Sequence, residues 1–141
     1  MNSVKETNKT VHIIKVKLGN KHRILAIPSF YTLYDLAEAI VNSFDFGFDH
    51  CFGFYDTLGR GCFDSKEGYE LFADIGEESD FPGVKKTKIN KVFDKIGKKM
   101  LFLFDYGDNW RFVIELIEIR PFIDDKCPIV IKSVGKAPEQ Y

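Results

Sequence analysis

Cysteine is scarce in this sequence, which has only Cys51, Cys62 and Cys127. An odd and sparse set builds no disulfide framework and suits reduced thiols in a cytoplasm. There is no C-x-x-C knuckle, the spacing that marks many structural zinc sites. His50 and the three cysteines add up to four soft ligands. Neighbours in a strand point to opposite faces, however, so His50 and Cys51 do not easily share an ion. No metal and no cofactor is expected. Long apolar runs are missing too, and none approaches the length of a bilayer span, so no membrane association is expected. The start, "MNSVKETNKT", lacks the apolar middle of a signal peptide and reads as a flexible N-terminus over residues 1–10. Net charge is nearly absent, at −1, which removes any global pull toward nucleic acid or an anionic membrane. Nor does "LGRGC" match a phosphate-cradling glycine pattern.

Phenylalanine is abundant, with 14 in 141 residues. So many rigid apolar rings imply an aromatic core, or an aromatic face kept for a partner. The length suits a single domain over 11–141 that buries a core without staples.

The segment "VHIIKVKL" sets Ile14, Val16 and Leu18 on one face and Lys15 and Lys17 on the other, the period of a half-buried strand. Gly19-Asn20 suits a tight hairpin turn, and "HRILAIP" is the return strand, ended by Pro28. Thr32 can cap a helix, with Asp35 at the capping-box position. Leu33, Leu36, Ala37, Ile40, Val41 and Phe44 then form one apolar stripe until "DFGFD" breaks it. A strand is expected at "CFGFY", with Phe52 and Phe54 on one face, and a weaker one at "YELFADI". Ile89, Val92, Phe93 and Ile96 have helical spacing, with Gly97 as the stop. "MLFLFDY" and "WRFVIELIEI" read as two long strands, with Met100, Phe102, Phe104 and Tyr106 on one face of the first. Trp110, Phe112, Ile114 and Leu116 share one face of the second. The tail "CPIVIKSVGKAPEQY" has no strong period. Together these elements predict an α+β fold, β-grasp-like or roll, in which a largely antiparallel sheet carries one main amphipathic helix and a second, shorter one.

Charge is segregated in the middle of the chain. Asp64 to Asp80 holds seven acids against Lys66, and Lys85 to Lys99 holds seven lysines against Asp94. Lysines beside an aromatic strand resemble the parts of a single-strand nucleic-acid binder, with Lys85, Lys86 and Lys88 as the contact residues. The simpler reading is a solvated lysine face paired with an acidic loop.

The most unusual stretch is "FDYGDNW", residues 104–110. It reads first as a hairpin loop, in which Gly107 allows positive φ while Asp108 and Asn109 tolerate it. Trp110 opens the return strand, and its indole N–H needs an acceptor if buried; Asp105 or Asp108 is in place to supply one. The functional alternative brings Asp105 and Asp108 together with Asp49 and His50, to bind a hard cation or to act as acid and base.

"TLYDLAEAIVNSFDFGFDHCFGF", "KKMLFLFDYGDNWRFVIEL" and "GKAPEQY" resemble the plasmid Ri ORF-three-like domain family over nearly the whole chain from about residue 11. The hairpin is the most specific part of the likeness. The resemblance implies an α+β fold with a strongly bent, largely antiparallel sheet. Its recurring residues correspond here to His50, Phe54, Asp105, Gly107, Asp108 and Trp110. Some members are described as TnpR-like transposon passenger proteins, which links the family to mobile elements without supplying an activity. This chain departs in having "RF" where relatives often place a histidine after the Trp, and "APEQY" where they run on into Cys-Gly-Gly.

The leading expectation is a non-enzymatic binding module whose partner is an unknown protein or small ligand, acting through His50, Asp105, Asp108 and Trp110 at one end of the sheet. Nucleic-acid binding through the three lysines is the first alternative. A carboxylate-dependent hydrolase using Asp105, Asp108 and His50 is the second.

Overall fold

The computed structural model describes residues 10–59, 61–121 and 128–141. Strands β1 (Thr10–Leu18) and β2 (Lys21–Pro28) form the first hairpin, in register with Leu18 opposite Lys21. The turn is therefore the two residues Gly19-Asn20, and Gly19 takes the positive φ of +62° that such a turn needs. Thr10, expected in the flexible stretch, begins β1.

Helix α1 (Leu33–Ser43) follows. The Thr32 hydroxyl accepts from the Asp35 amide at 3.2 Å, and the Asp35 carboxylate accepts from the Thr32 amide at 3.0 Å. Asp thus closes the capping box in the place more often held by Glu. The helix ends at Ser43, and Asp45 turns the chain with a φ of 59°.

Strand β3 (Phe52–Tyr55), a 3₁₀ turn (Cys62–Asp64), β4 (Gly68–Glu70), α2 (Leu71–Asp74) and α3 (Ile89–Val92) lead to β5 (Lys99–Phe104), β6 (Trp110–Pro121) and β7 (Ile129–Val134). The seven strands make one open sheet in the order β4-β3-β5-β6-β1-β2-β7, with every neighbouring pair antiparallel. The fold is α+β. Register shifts at Ile13/Ile14 in the β1–β6 ladder and at Ile24/Leu25 in the β2–β7 ladder interrupt the pairing. No helix among the described residues is long and apolar enough to cross a membrane.

The apolar stripe of α1 lies against one sheet face, as its spacing requires. Leu36, Ile40 and Phe44 pack in one cluster with Ile14, Phe52, Phe102 and Phe112. Because side chains alternate along a strand, Tyr55, Leu101 and Leu103 fall on the opposite face and form a smaller cluster with Cys62. The 56–83 stretch covers that second face through Phe63 and Phe81.

Four expectations are corrected. "YELFADI" is split between the three residues of β4 and the single turn of α2, because the Glu70 amide bonds the Pro82 carbonyl and the next residues close a helical turn. The lysine-rich helix is only Ile89–Val92; Val92 and Phe93 are buried, but Ile96 is exposed and Gly97 has a φ of +97°. The tail contains an edge strand, β7, which shows no period because its residues are exposed along its whole length. Tyr106 does not share a face with Phe104. Asp105 adopts a φ of 68°, which breaks the strand alternation and swings the ring to the opposite face, against Phe63 and Phe72. Of the cysteines, Cys51 and Cys62 are free thiols, and Cys127 lies outside the described residues.

His12 is buried in β1. Its Nε2 donates to the Phe93 carbonyl at 2.8 Å, and its Nδ1 therefore accepts from the Ser29 hydroxyl at 2.6 Å. Ser29 in turn accepts from Thr10. Every position on the ring is filled by a neutral partner, and burial lowers the His12 pKa below its ordinary 6.5. A depressed folded-state pKa means that the unfolded chain binds the proton more tightly. The His12 contribution is then complete above about pH 6.5 and is lost as pH falls toward and through the folded value. Urea unfolding of the wild type is expected to weaken between pH 7.5 and pH 5 more steeply than that of His12→Gln; parallel profiles would remove His12 as the cause.

Candidate site at the β5–β6 turn

Phe104 and Trp110 stand opposite each other at the end of the β5–β6 ladder, so residues 105–109 form the connecting loop. Positive φ falls on Asp105 and on Asn109 (56°), and not on Gly107 as the sequence suggests. Asp and Asn tolerate this region because their short side chains bond the local backbone. Asp105 does so with Oδ1, which accepts from the Gly107 amide at 2.9 Å and the Asp108 amide at 3.2 Å. Its own amide bonds the Cys51 carbonyl, and its carbonyl accepts from the Asn109 amide. One carboxylate oxygen of Asp105 thus builds the turn. The other, Oδ2, lies 3.5 Å from His50 Nε2.

His50 leaves α1 behind on the loop before β3 and rests edge-on against the Phe104 ring at 5.9 Å. Asp49 Oδ1 is also 3.5 Å from Nε2. Between them sits Tyr141, whose hydroxyl donates to Asp49 Oδ2 at 2.8 Å and accepts from His50 Nε2 at 2.7 Å. Gln140 adds a paired contact, in which the Gly47 amide donates to its Oε1 at 2.8 Å and its Nε2 donates to the Gly47 carbonyl and to Asp49. The Tyr141 hydroxyl bond, more than any other group, holds the Asp49 carboxyl below its usual range. Reciprocally, the Tyr141 phenol is pushed up to about 12, chiefly by that same bond.

The structure therefore brings together His50, Asp105 and Asp49, as expected, but leaves Asp108 exposed in the turn, where it contributes its main-chain amide. Trp110 packs at a tilt against Phe46, with ring centres 4.9 Å apart, and its buried indole N–H finds no acceptor among the described residues. Neither aspartate supplies one: Asp105 Oδ1 serves the turn, its Oδ2 lies near His50, and Asp108 is exposed. Gln140 and Tyr141 were not foreseen as site residues. The likeness at "GKAPEQY" marked the segment, but nothing local indicates where it lands.

At this corner His50 Nε2 faces Asp49, Asp105 and Tyr141. Burial, the largest influence, raises the Cys51 thiol above its ordinary pKa, which disfavours the nucleophilic thiolate. Among the described residues no group of three or more His, Cys, Asp or Glu is arranged to hold a metal ion.

The lysines of the nucleic-acid alternative lie elsewhere. The Lys85 amide bonds Asp74, and its ammonium sits 5.0 Å from the Tyr34 ring. The main chain of Lys88 bridges to Thr32, and Lys86 is exposed beside a hollow lined with Asp74. Asp74 also accepts from the Val84 amide, and Lys98 pairs with Glu67 at 3.0 Å, so the acidic and basic stretches are locked together at two points. Phe102 and Phe104 are fully buried and form no stacking platform.

Fold and site define a small α+β domain with an open, seven-stranded antiparallel sheet and a polar corner at one end. A solved structure supports the fold: a protein of unknown function, MM3350 from Methanosarcina mazei Go1, is similar with a TM-score of 0.73 and 22% identity, over 92% of this chain and 72% of its own. No curated protein matches the sequence. The chain belongs to the plasmid pRiA4b ORF-3-like protein family, whose model matches residues 10–140.

Proposed function

We propose that this chain is a non-enzymatic binding module that recognises a peptide-like segment of a protein partner at the β5–β6 corner. The observation that carries the reading is the docking of the chain's own residues 140–141. Five hydrogen bonds hold Gln140 and Tyr141 to Gly47, Asp49 and His50. The Gln140 amide engages both main-chain groups of Gly47, the way one peptide reads another. These bonds are exposed, so water competes with each of them, and each is readily exchanged for an equivalent bond from a partner. Held in cis, the tail competes at a millimolar effective concentration.

The test is native mass spectrometry with a synthetic peptide of residues 136–141, Lys-Ala-Pro-Glu-Gln-Tyr. A Gln140→Ala/Tyr141→Ala variant of the whole chain is expected to form a one-to-one complex with a Kd of about 0.1 mM or below, and the wild type to bind at least about tenfold more weakly. Adding His50→Ala or Asp49→Asn to the double variant should remove the complex. Asp105→Asn, which keeps the turn acceptor Oδ1, should weaken it with circular dichroism unchanged. If the double variant takes up no more peptide than the wild type, the corner is a structural clasp and the proposal fails.

A further inference from the structure

We infer that the sheet face opposite α1 carries a second site, one that binds an alkylated ammonium group. A groove of about 400 Å³ opens there, and its lining includes Phe63, Phe72, Phe81, Glu70, Glu78 and Asp80. A second hollow of about 520 Å³ adjoins it, sharing Phe63, Asp80 and Phe81. The rings form a connected set around Tyr55 and Tyr106. Phe63 and Phe81 each meet Tyr55 edge-on at 5.7 Å, and Phe72 lies 4.8 Å from Tyr106. Phe63 is 58% exposed, an unusual position for so large an apolar side chain unless its face is used.

The second observation is Glu70. This residue is only 4% exposed, yet no lysine, arginine or histidine among the described residues lies within ion-pair distance of it. Its carboxylate accepts from two hydroxyls, those of Tyr55 on Oε2 and Ser79 on Oε1 at 2.6 Å. Neutral donors satisfy its hydrogen bonds without balancing its charge. Buried carboxylates are ordinarily paired with a cation. Glu78 and Asp80 add two more acids to the lining, and among the described residues no basic residue lines this groove; Lys66 lines the adjoining hollow. Arg111 lies near enough to act on Cys62 but is not part of the lining.

Aromatic faces and a desolvated carboxylate together favour a weakly hydrated organic cation over a metal ion. The ring quadrupoles attract the positive charge, and the methyl groups fill the apolar walls. A hard cation would need several converging oxygens. Glu70 is the one acid in this groove that is buried, and its two oxygens already serve hydroxyls. Room for the phenol pair behind these rings depends on Gly53. A Cβ there would stand 2.6 Å from the Tyr55 hydroxyl and 2.7 Å from that of Tyr106. Ligands of this class come from two sources, a free small molecule such as choline or a methylated lysine side chain on a protein, and both present the same head.

The experiment is an NMR titration of the full chain with choline chloride against its uncharged isostere, in which tert-butyl replaces trimethylammonium. Choline is expected to bind about tenfold more tightly than the isostere, with saturable shifts at Glu70, Ser79 and Phe81. Phe63→Ala removes an exposed ring and should abolish that preference with the fold intact, and Asp80→Asn should reduce it. A peptide bearing trimethyl-lysine that outcompetes choline would identify a modified side chain as the source; equal competition would identify a free cation. Equal binding of choline and the isostere, or shifts confined to other parts of the chain, would overturn the assignment.

Discussion

Phe102→Ala is expected to destabilise the protein by about 3–5 kcal/mol, the largest loss from any single side chain in the fold. Phe102 is fully buried in β5, and its ring meets four others: Phe52 at 5.5 Å, Phe54 at 4.8 Å, Phe104 at 6.2 Å and Phe112 at 5.6 Å. Those partners come from β3, β5 and β6, so truncation leaves a cavity where three strands meet under α1. Neighbouring strands fix the flanking rings, and little can collapse inward to fill the space. Urea denaturation followed by circular dichroism measures the loss. A cost below about 1.5 kcal/mol would mean that the core repacks and that the ring cluster is not the centre of stability.

Arg23→Met is expected to cost about 2–4 kcal/mol, counting lost bonds to main-chain carbonyls and the lost ring contact. Arg23 is buried, and its Nε donates to the Ser43 carbonyl at 2.8 Å. Its Nη1 donates to the carbonyls of His22 and Val134 at 3.0 and 3.1 Å. The guanidinium also lies 4.2 Å from the centre of the Phe44 ring. Ser43 is the last residue of α1, where a cation opposes the negative end of the helix dipole. Burying a charge is itself costly, and that cost is relieved in the variant. Three carbonyls nevertheless lose a donor in part-buried surroundings. Methionine keeps the packing of the aliphatic stem, so the difference reports the polar head. Arg23→Lys should recover less than half, because an ammonium lacks the planar fork that reaches α1 and β7 together. Amide exchange should quicken along β7 before it does in β1. Stability within about 0.5 kcal/mol of wild type would show that the three bonds contribute nothing beyond their desolvation.

Both cases mark the boundary between what is local and what is not. The capping box at Thr32 and Asp35, the stripe of α1, the Gly19-Asn20 turn and the paired strands around residues 105–109 were all legible in the sequence. Each rests on residues a few positions apart, for which backbone geometry and side-chain period are sufficient. The family likeness was legible in local motifs as well, and the family model matches residues 10–140.

The site was legible only in part. His50 and Asp105 were expected to meet, and they do. Their companions are Asp49 and Tyr141, which are 92 positions apart, and only the return of the tail to the loop after α1 places them together. Likewise Tyr106 belongs by its strand period with Phe104. The left-handed backbone of Asp105 sends it instead to the opposite face, where its hydroxyl bonds that of Tyr55, itself a donor to Glu70. Tertiary structure decided these points because hydrogen-bond geometry is short-ranged. A period of two or of 3.6 residues records which side of an element faces the core, but not which distant polar group fills the space beside it.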